Sequence, residues 1–203
     1  RWDEEARRAE RAAELAARAS AEPLRAEARA VLGRATLERG AAAQGAETLA
    51  AALDLADAVQ HLELAGELAL ELAEVPPQTD IEHALALTYA RRAAAAAEGL
   101  HDRSLAARAA LARAALLRRQ GRHDEAETQL RAVGNRLDGL PTLAARVELE
   151  LARILIAARR PDEAGLPLAR VVEALRELPN HPLRTDAEAE LSARKRAAGR
   201  RGP

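Results

Sequence analysis

The sequence predicts an all-α protein, and three observations predict it. The apolar residues are almost all alanine and leucine, strand-forming residues are sparse, and a pattern the length of a helix pair repeats along the chain. Of 203 residues about 54 are Ala and 32 are Leu, whereas aromatics make up 1%, with no Phe, one Trp and one Tyr. Ala and Leu are the strongest helix formers, and Arg and Glu, the main polar residues, follow closely. Nothing in the composition favours a sheet. A core of Ala and Leu also lets helices approach closely, because small side chains shorten the interaxial distance.

The repeat is visible when the chain is shifted by 38 residues, so that 105–137 falls on 143–175. Leu105, Ala106, Ala107 and Arg108 meet Leu143, Ala144, Ala145 and Arg146; Leu111, Ala114 and Leu117 meet Leu149, Ala152 and Leu155. Arg122, Asp124, Glu125 and Ala126 meet Arg160, Asp162, Glu163 and Ala164, and Leu130, Val133 and Leu137 meet Leu168, Val171 and Leu175. That is 14 identities in 33 positions without a gap. Alanine richness inflates the Ala matches but does not account for the Asp-Glu-Ala and Leu/Val matches. A fixed period of this size is the mark of stacked supersecondary units.

Each unit reads as two antiparallel helices. Leu105 to Gln120 forms the first and Gly121 ends it, since glycine accepts the left-handed conformation of a helix exit. Asp124 and Glu125 open the next helix, where acids complement the dipole. Ala126, Leu130, Val133 and Leu137 then step by four, three and four along one face. Pro161 suits the first turn of the matching helix in the next unit. Earlier units are looser: Gly33, Gly40, Gly45, Leu49 and Ala52 keep the offsets of Ala114, Gly121, Ala126, Leu130 and Val133. Ala86, Ala90 and Ala93 form the matching stripe of a helix started by Thr79 and Glu82, a capping box. Pro76 and Pro77 lengthen the loop before it. The helices are expected at roughly 2–19, 22–39, 43–58, 60–75, 80–98, 102–120, 124–137, 142–159, 162–178 and 184–198. The whole chain forms one domain, with units at about 21–59, 60–100, 101–139 and 140–179, a partial unit at 1–20 and a capping helix at 183–199.

The run from Leu116 through Gly121 to Asp124, Glu125 and Ala126 resembles the turn of the tetratricopeptide repeat: a helix, Gly, two variable residues, an acid pair and a small residue at a helix crossing. The family's small residue in the first helix matches Ala114, Ala152 and Gly33; its usual unit-ending proline is absent, although Pro141 and Pro179 lie near unit boundaries. The period of 38–40 is longer than the family's standard and is similar to the longer-helix variant of bacterial transcriptional activators. The resemblance covers nearly the whole chain and is strongest over 102–178. It implies an α-solenoid of about five antiparallel helix pairs in a right-handed superhelix, with a concave surface lined by the first helix of each pair that takes a peptide or partner protein. The residues implied for that surface are Arg108, Leu111, Ala115, Arg118 and Arg119, then Arg146, Leu149, Arg153 and Ile156. Periodicity agrees for the last four, which share one stripe, while Leu143, Val147, Leu151, Ile154 and Ala158 form another stripe suited to the core. Convergent guanidinium groups would hold a carboxylate by paired N–H donors, so an acidic peptide or chain terminus is the expected partner. The plain alternative is that these arginines pair with neighbours such as Glu150.

Formal net charge is −1, but residues 1–100 hold 11 basic and 18 acidic side chains and residues 101–203 hold 20 and 14. Gly40 to Ala90 contains no Lys or Arg. Such a gradient can steer a partner or favour self-assembly, acidic middle on basic end, or it can reflect solvated faces that happen to segregate. Nothing in the total charge implies nucleic acid. Arg194, Lys195, Arg196, Arg200 and Arg201 read first as the cationic end of a capping helix, opened by a second capping box at Thr185 and Glu188. Trp2 would plug the open N-terminal end or meet a neighbouring domain.

Catalysis is not expected. The five histidines are scattered, with no i, i+4 pair and no Cys, so no metal site is expected. Ser20, Ser104 and Ser192 have no His and acid in a nucleophile context, the glycines form no phosphate loop, and no cofactor is implied. No stretch approaches the roughly 18 apolar residues of a membrane span, which suits a cytoplasmic protein. The absence of Met and the opening Arg-Trp-Asp-Glu-Glu fit a piece of a larger protein, and the Ala and Arg usage fits a GC-rich bacterial genome. The leading expectation is an interaction scaffold or regulatory adaptor. A ligand-sensing domain with a cavity near Ala93 to Ala97, or a self-assembling module, are the alternatives.

Overall fold

A computed structural model describes residues 2–199. Among these the protein is all-helical: α1 (Trp2–Arg18), α2 (Glu22–Glu38), α3 (Ala42–Ala58), α4 (Leu62–Glu74), α5 (Asp80–Leu100), α6 (Arg103–Arg119), α7 (His123–Gly134), α8 (Pro141–Ala157), a 3-10 turn (Pro161–Ala164), α9 (Gly165–Ala174) and α10 (Pro182–Gly199). No helix of the described residues is long and apolar enough to cross a membrane. The chain divides into two compact units, Arg1–Ala109 and Ala110–Pro203, with the boundary inside α6.

Most helix exits share one construction, and it recurs where the repeat says it should. The second residue past the helix takes positive φ at Ser20, Gly40, Gln60, Gly121 and Arg159, and the first does so at His101. The next N–H then donates back five residues: Ala21 to Ala16, Ala41 to Thr36, His61 to Ala56, Asp102 to Ala97, Arg122 to Leu117 and Arg160 to Leu155, at 2.8–3.2 Å. This bond and the left-handed residue are the Schellman motif, which satisfies carbonyls orphaned at a helix end. Gly121 and Arg159 are 38 residues apart and so occupy the same repeat position, at φ 73° and 59°. Arg159 carries a Cβ into a region that only glycine enters without steric cost.

Helix starts follow local chemistry. Thr79 Oγ1 accepts from Glu82 N–H at 3.2 Å, while the Glu82 carboxylate reaches one residue past the cap to accept from Gln78 N–H at 2.7 Å. Asp102 accepts from Ser104 and Leu105 N–H ahead of α6. His61 Nδ1 accepts from Leu64 N–H and caps α4. The expected capping box at Thr185 does not form. Pro182 starts α10 three residues earlier with His181 Nδ1 accepting from Leu183 N–H, and the Thr185 hydroxyl bonds back to His181 O.

The single helix expected over 162–178 is broken. A prolyl nitrogen at 167 cannot donate, and its ring would crowd the carbonyl four residues back. The chain therefore runs as a 3-10 turn to Ala164 before α9 begins, whereas α7, with Gln129 at the matching position, is uninterrupted.

In the first unit α2 packs on α1 and α3, and α4 on α3 and α5. Leu49, Leu53, Leu68, Leu70 and Leu105 are its largest fully buried side chains. α3 approaches α2 so closely that a Cβ on Gly45 would lie 2.6 Å from Leu37 Cγ and 2.9 Å from its backbone nitrogen. In the second unit α8 packs on α7, on the 3-10 turn with α9, and on α10, around Leu117, Leu130, Ile154, Leu155, Leu168 and Leu175. The repeat-matched pairs Ala114/Ala152, Ala126/Ala164 and Leu130/Leu168 are all fully buried.

Arginine–carboxylate pairs join helices two apart in the chain. In the first unit Arg34 of α2 reaches Glu71 of α4 at 2.7 Å, Arg108 of α6 reaches Glu67 of α4 at 2.8 Å, and Arg92 of α5 pairs with Asp57 of α3. In the second, Arg118 of α6 reaches Glu150 of α8 at 2.8 Å, and Arg160 reaches Glu127 of α7 at 2.7 Å.

Candidate functional site

Pro141 opens α8 at its first turn, where a missing N–H costs least. The helix is then buried on most of its circumference. Val147, Leu151 and Ile154 of the expected core stripe are buried, but so are Leu149, Ala152 and Leu155. Of the stripe assigned to a partner surface, Arg146, Arg153 and Ile156 are exposed and Leu149 belongs to the core.

The arginines divide by what holds them. Arg108 is engaged by Glu67 and Arg118 by Glu150, both at 2.8 Å. Their guanidinium groups already have a carboxylate, so neither is a free receptor for another. Arg153 lies 3.5 Å from Glu150 and 4.0 Å from Asp186, with about half its side chain in solvent. Pairs that long and that wet are worth little. Arg119 and Arg146 are exposed and have no ion pair among the described residues. Leu111 is buried and Ala115 half-buried, so Leu111 is a core residue.

Leu149, Arg153 and Ile156 do come together, in a groove of about 430 Å³ between α8 and α10. Leu149, Ala152, Ile156 and Leu168 line it with Arg153 of α8, and α10 contributes Asp186, Glu190 and Arg196, so both signs of charge border it. The α10 rim was missed in the sequence, where neither Asp186 nor Glu190 was singled out. Arg196 therefore faces a groove, whereas Arg194 lies 3.9 Å from Asp162; Arg200 and Arg201 fall outside the described residues.

No protein-family model and no curated protein matches the chain. The site has to be read from its own chemistry.

A second groove, of about 360 Å³, lies in the first unit between α3 and α5. The alanines expected to line a cavity do not: Ala93, Ala96 and Ala97 are packed core, and Ala96 Cβ sits where a Cβ on Gly66 would strike it. The earlier alanines at 42, 43, 46 and 50 line this groove instead, opposite Leu85 and Tyr89, over a floor of Leu72 and Val75. Burial, and then the Asp54 carboxylate, push the Tyr89 hydroxyl above its ordinary pKa. Small residues on one face of α3 were the only sequence signal, and in this chain that signal is everywhere.

Proposed function

We propose that this chain is a non-catalytic helical-repeat interaction module of the tetratricopeptide type, and that the α8/α10 groove receives a segment of a partner protein. The carrying observation is the groove itself: an open trough of mixed apolar and charged lining, bordered by a loosely held guanidinium and built on three residues that share one stripe of α8. An apolar floor supplies affinity, and a few rim charges fix orientation. Arg153 can exchange its long contacts for a paired hydrogen bond to an incoming carboxylate, with Arg146 about two turns earlier on the same face. The acidic partner is thus retained, while Arg108 and Arg118 become structural. The repeat character rests on the recurring Schellman turns, the 38-residue register of buried positions and the pairs between helices two apart. Those pairs also use acids of the middle segment, Asp57, Glu67 and Glu71, which weakens self-assembly through the charge gradient.

Peptides selected by display against the full chain test the reading. Arg146→Glu with Arg153→Glu is expected to weaken the selected acidic-apolar peptides at least tenfold, with the helical circular dichroism unchanged. Unchanged affinity in the double variant overturns the site.

A further inference from the structure

We propose that the α3/α5 groove of the first unit is a separate docking site for a cationic amphipathic helix of a partner protein. Its walls are two helices, so the space is a trough. The α3 wall is low, because Ala46 and Ala50 fill little of it, and the α5 wall is the row Leu85 and Tyr89. The apolar wall continues one turn beyond the trough through Ile81, which is 82% exposed, to Leu85, which is 48% exposed. Ile81, Leu85 and Tyr89 are spaced by four and span roughly 12 Å of helix, the footprint of two turns of a docked helix reading i, i+4 and i+7 anchors. A small molecule filling the trough would leave Ile81 in water.

The charge of the occupant follows from what surrounds the trough. Glu47 and Glu82 line it, and Asp54 stands next along α3 near Tyr89. Other acids of the unit divide: Asp57 is compensated by Arg92, Glu67 by Arg108 and Glu71 by Arg34, while Glu63, Glu74 and Glu98 have no ion pair among the described residues. Glu47 and Asp54 have no ion pair among the described residues, and Glu82 spends one oxygen on the Gln78 N–H. No Lys or Arg occurs from Gly40 to Ala90, and the first beyond Tyr89 on α5 are Arg91, bonded to Leu87 O, and Arg92, tied to Asp57. An apolar trough edged by uncompensated carboxylates is complementary to apolar anchors flanked by Lys or Arg.

Tyr89 is the chain's single tyrosine, so ring-labelled tyrosine gives one set of signals that reports on this groove. The full chain is titrated with a synthetic leucine–lysine amphipathic helix and with its leucine–glutamate counterpart, affinity being followed by fluorescence anisotropy of the labelled peptide. The lysine peptide is expected to move the Tyr89 ring signals and the glutamate peptide to leave them. Glu47→Lys with Asp54→Lys, both exposed, is expected to weaken the lysine peptide about tenfold, and Leu85→Asp by a similar factor. Four outcomes overturn the proposal. These are no binding of the lysine peptide; binding that leaves the Tyr89 signals in place; affinity unchanged in the Glu47/Asp54 variant; and Tyr89 signals that move with protein concentration alone, which would make the occupant a second copy. A fifth outcome overturns it as well: equal displacement of the signals by tetraphenylphosphonium, with competition against the peptide, assigns the trough to small apolar cations.

Discussion

The two grooves are built alike and charged differently. Each lies between helices two apart in the chain, and each has a floor of buried leucine, Leu72 under α3/α5 and Leu168 under α8/α10. The α8/α10 rims bring both signs together, so Arg153 already has carboxylates to lean on, at 3.5 and 4.0 Å. The α3/α5 rim brings acids alone. A groove that carries both signs selects a partner by exchanging pairs it already has; one that carries a single sign selects by supplying what is missing. The same packing scheme thus yields two specificities, decided by a handful of side chains that contribute little to the core.

Truncating the floors is the strongest way to probe that parallel. Leu168→Ala and Leu72→Ala each remove a buried leucine and are expected to cost about 2–5 kcal/mol by chemical denaturation, with the fully buried Leu168 at the upper end. A cost under about 1 kcal/mol at either would mean that floor is not core. Next in size is the close approach of α3. Gly45→Ala drives a Cβ into Leu37 and its backbone and is expected to destabilise by about 1–3 kcal/mol. Gly134→Ala at the end of α7, where the new Cβ meets only Val147 Cγ1 at 3.7 Å, is expected to stabilise by up to about 1 kcal/mol. Matching signs would show that the close contact at Gly45 does not oppose a Cβ.

The repeat-matched exits give a smaller, opposed pair. Gly121→Ala is expected to destabilise by about 1 kcal/mol, since nothing crowds the new Cβ and only the positive φ opposes it, whereas Arg159→Gly is expected to relieve a similar strain. Thermal melts of the two variants moving the same way would refute the shared turn. The smallest effect is electrostatic. Burial pushes Glu127 up, but hydrogen bonds from Arg131 and Arg160 outweigh it and hold the carboxyl below its ordinary range. Its contribution is complete above the unfolded value of about 4.3 and fades as pH falls through the lowered folded value. Glu127→Gln should therefore flatten the acid limb of the stability–pH curve, measured by denaturant midpoints; a limb as steep as in the parent would show that other carboxylates set it.

Much of the fold was legible because its determinants are local. Thr79 with Glu82, Asp124 with Glu125, and Gly121 mark ends within a turn of themselves, and the helix bounds fall within a few residues of expectation. The 3-10 break was equally local: Pro167 sat in plain view inside an expected helix, outweighed by its periodic neighbours. The site was legible only in part. Leu149, Arg153 and Ile156 were implied by the family resemblance and agreed with the helical spacing, but the partners that retire Arg108 and Arg118 lie 41 and 32 residues away, beyond the reach of any helical period. The α3/α5 groove was invisible for a different reason: it is made by an absence of bulk, and an alanine that lines a trough looks in sequence like an alanine that packs a core.

The most direct test of the central claim, that partners bind in these inter-helix grooves, is amide chemical-shift mapping of the full chain with a display-selected acidic peptide. Shifts are expected to concentrate at Leu149, Arg153 and Ile156 of α8 and along Ala189 to Arg196 of α10. Shifts confined to the turns, or to the paired arginines Arg108 and Arg118, would contradict it.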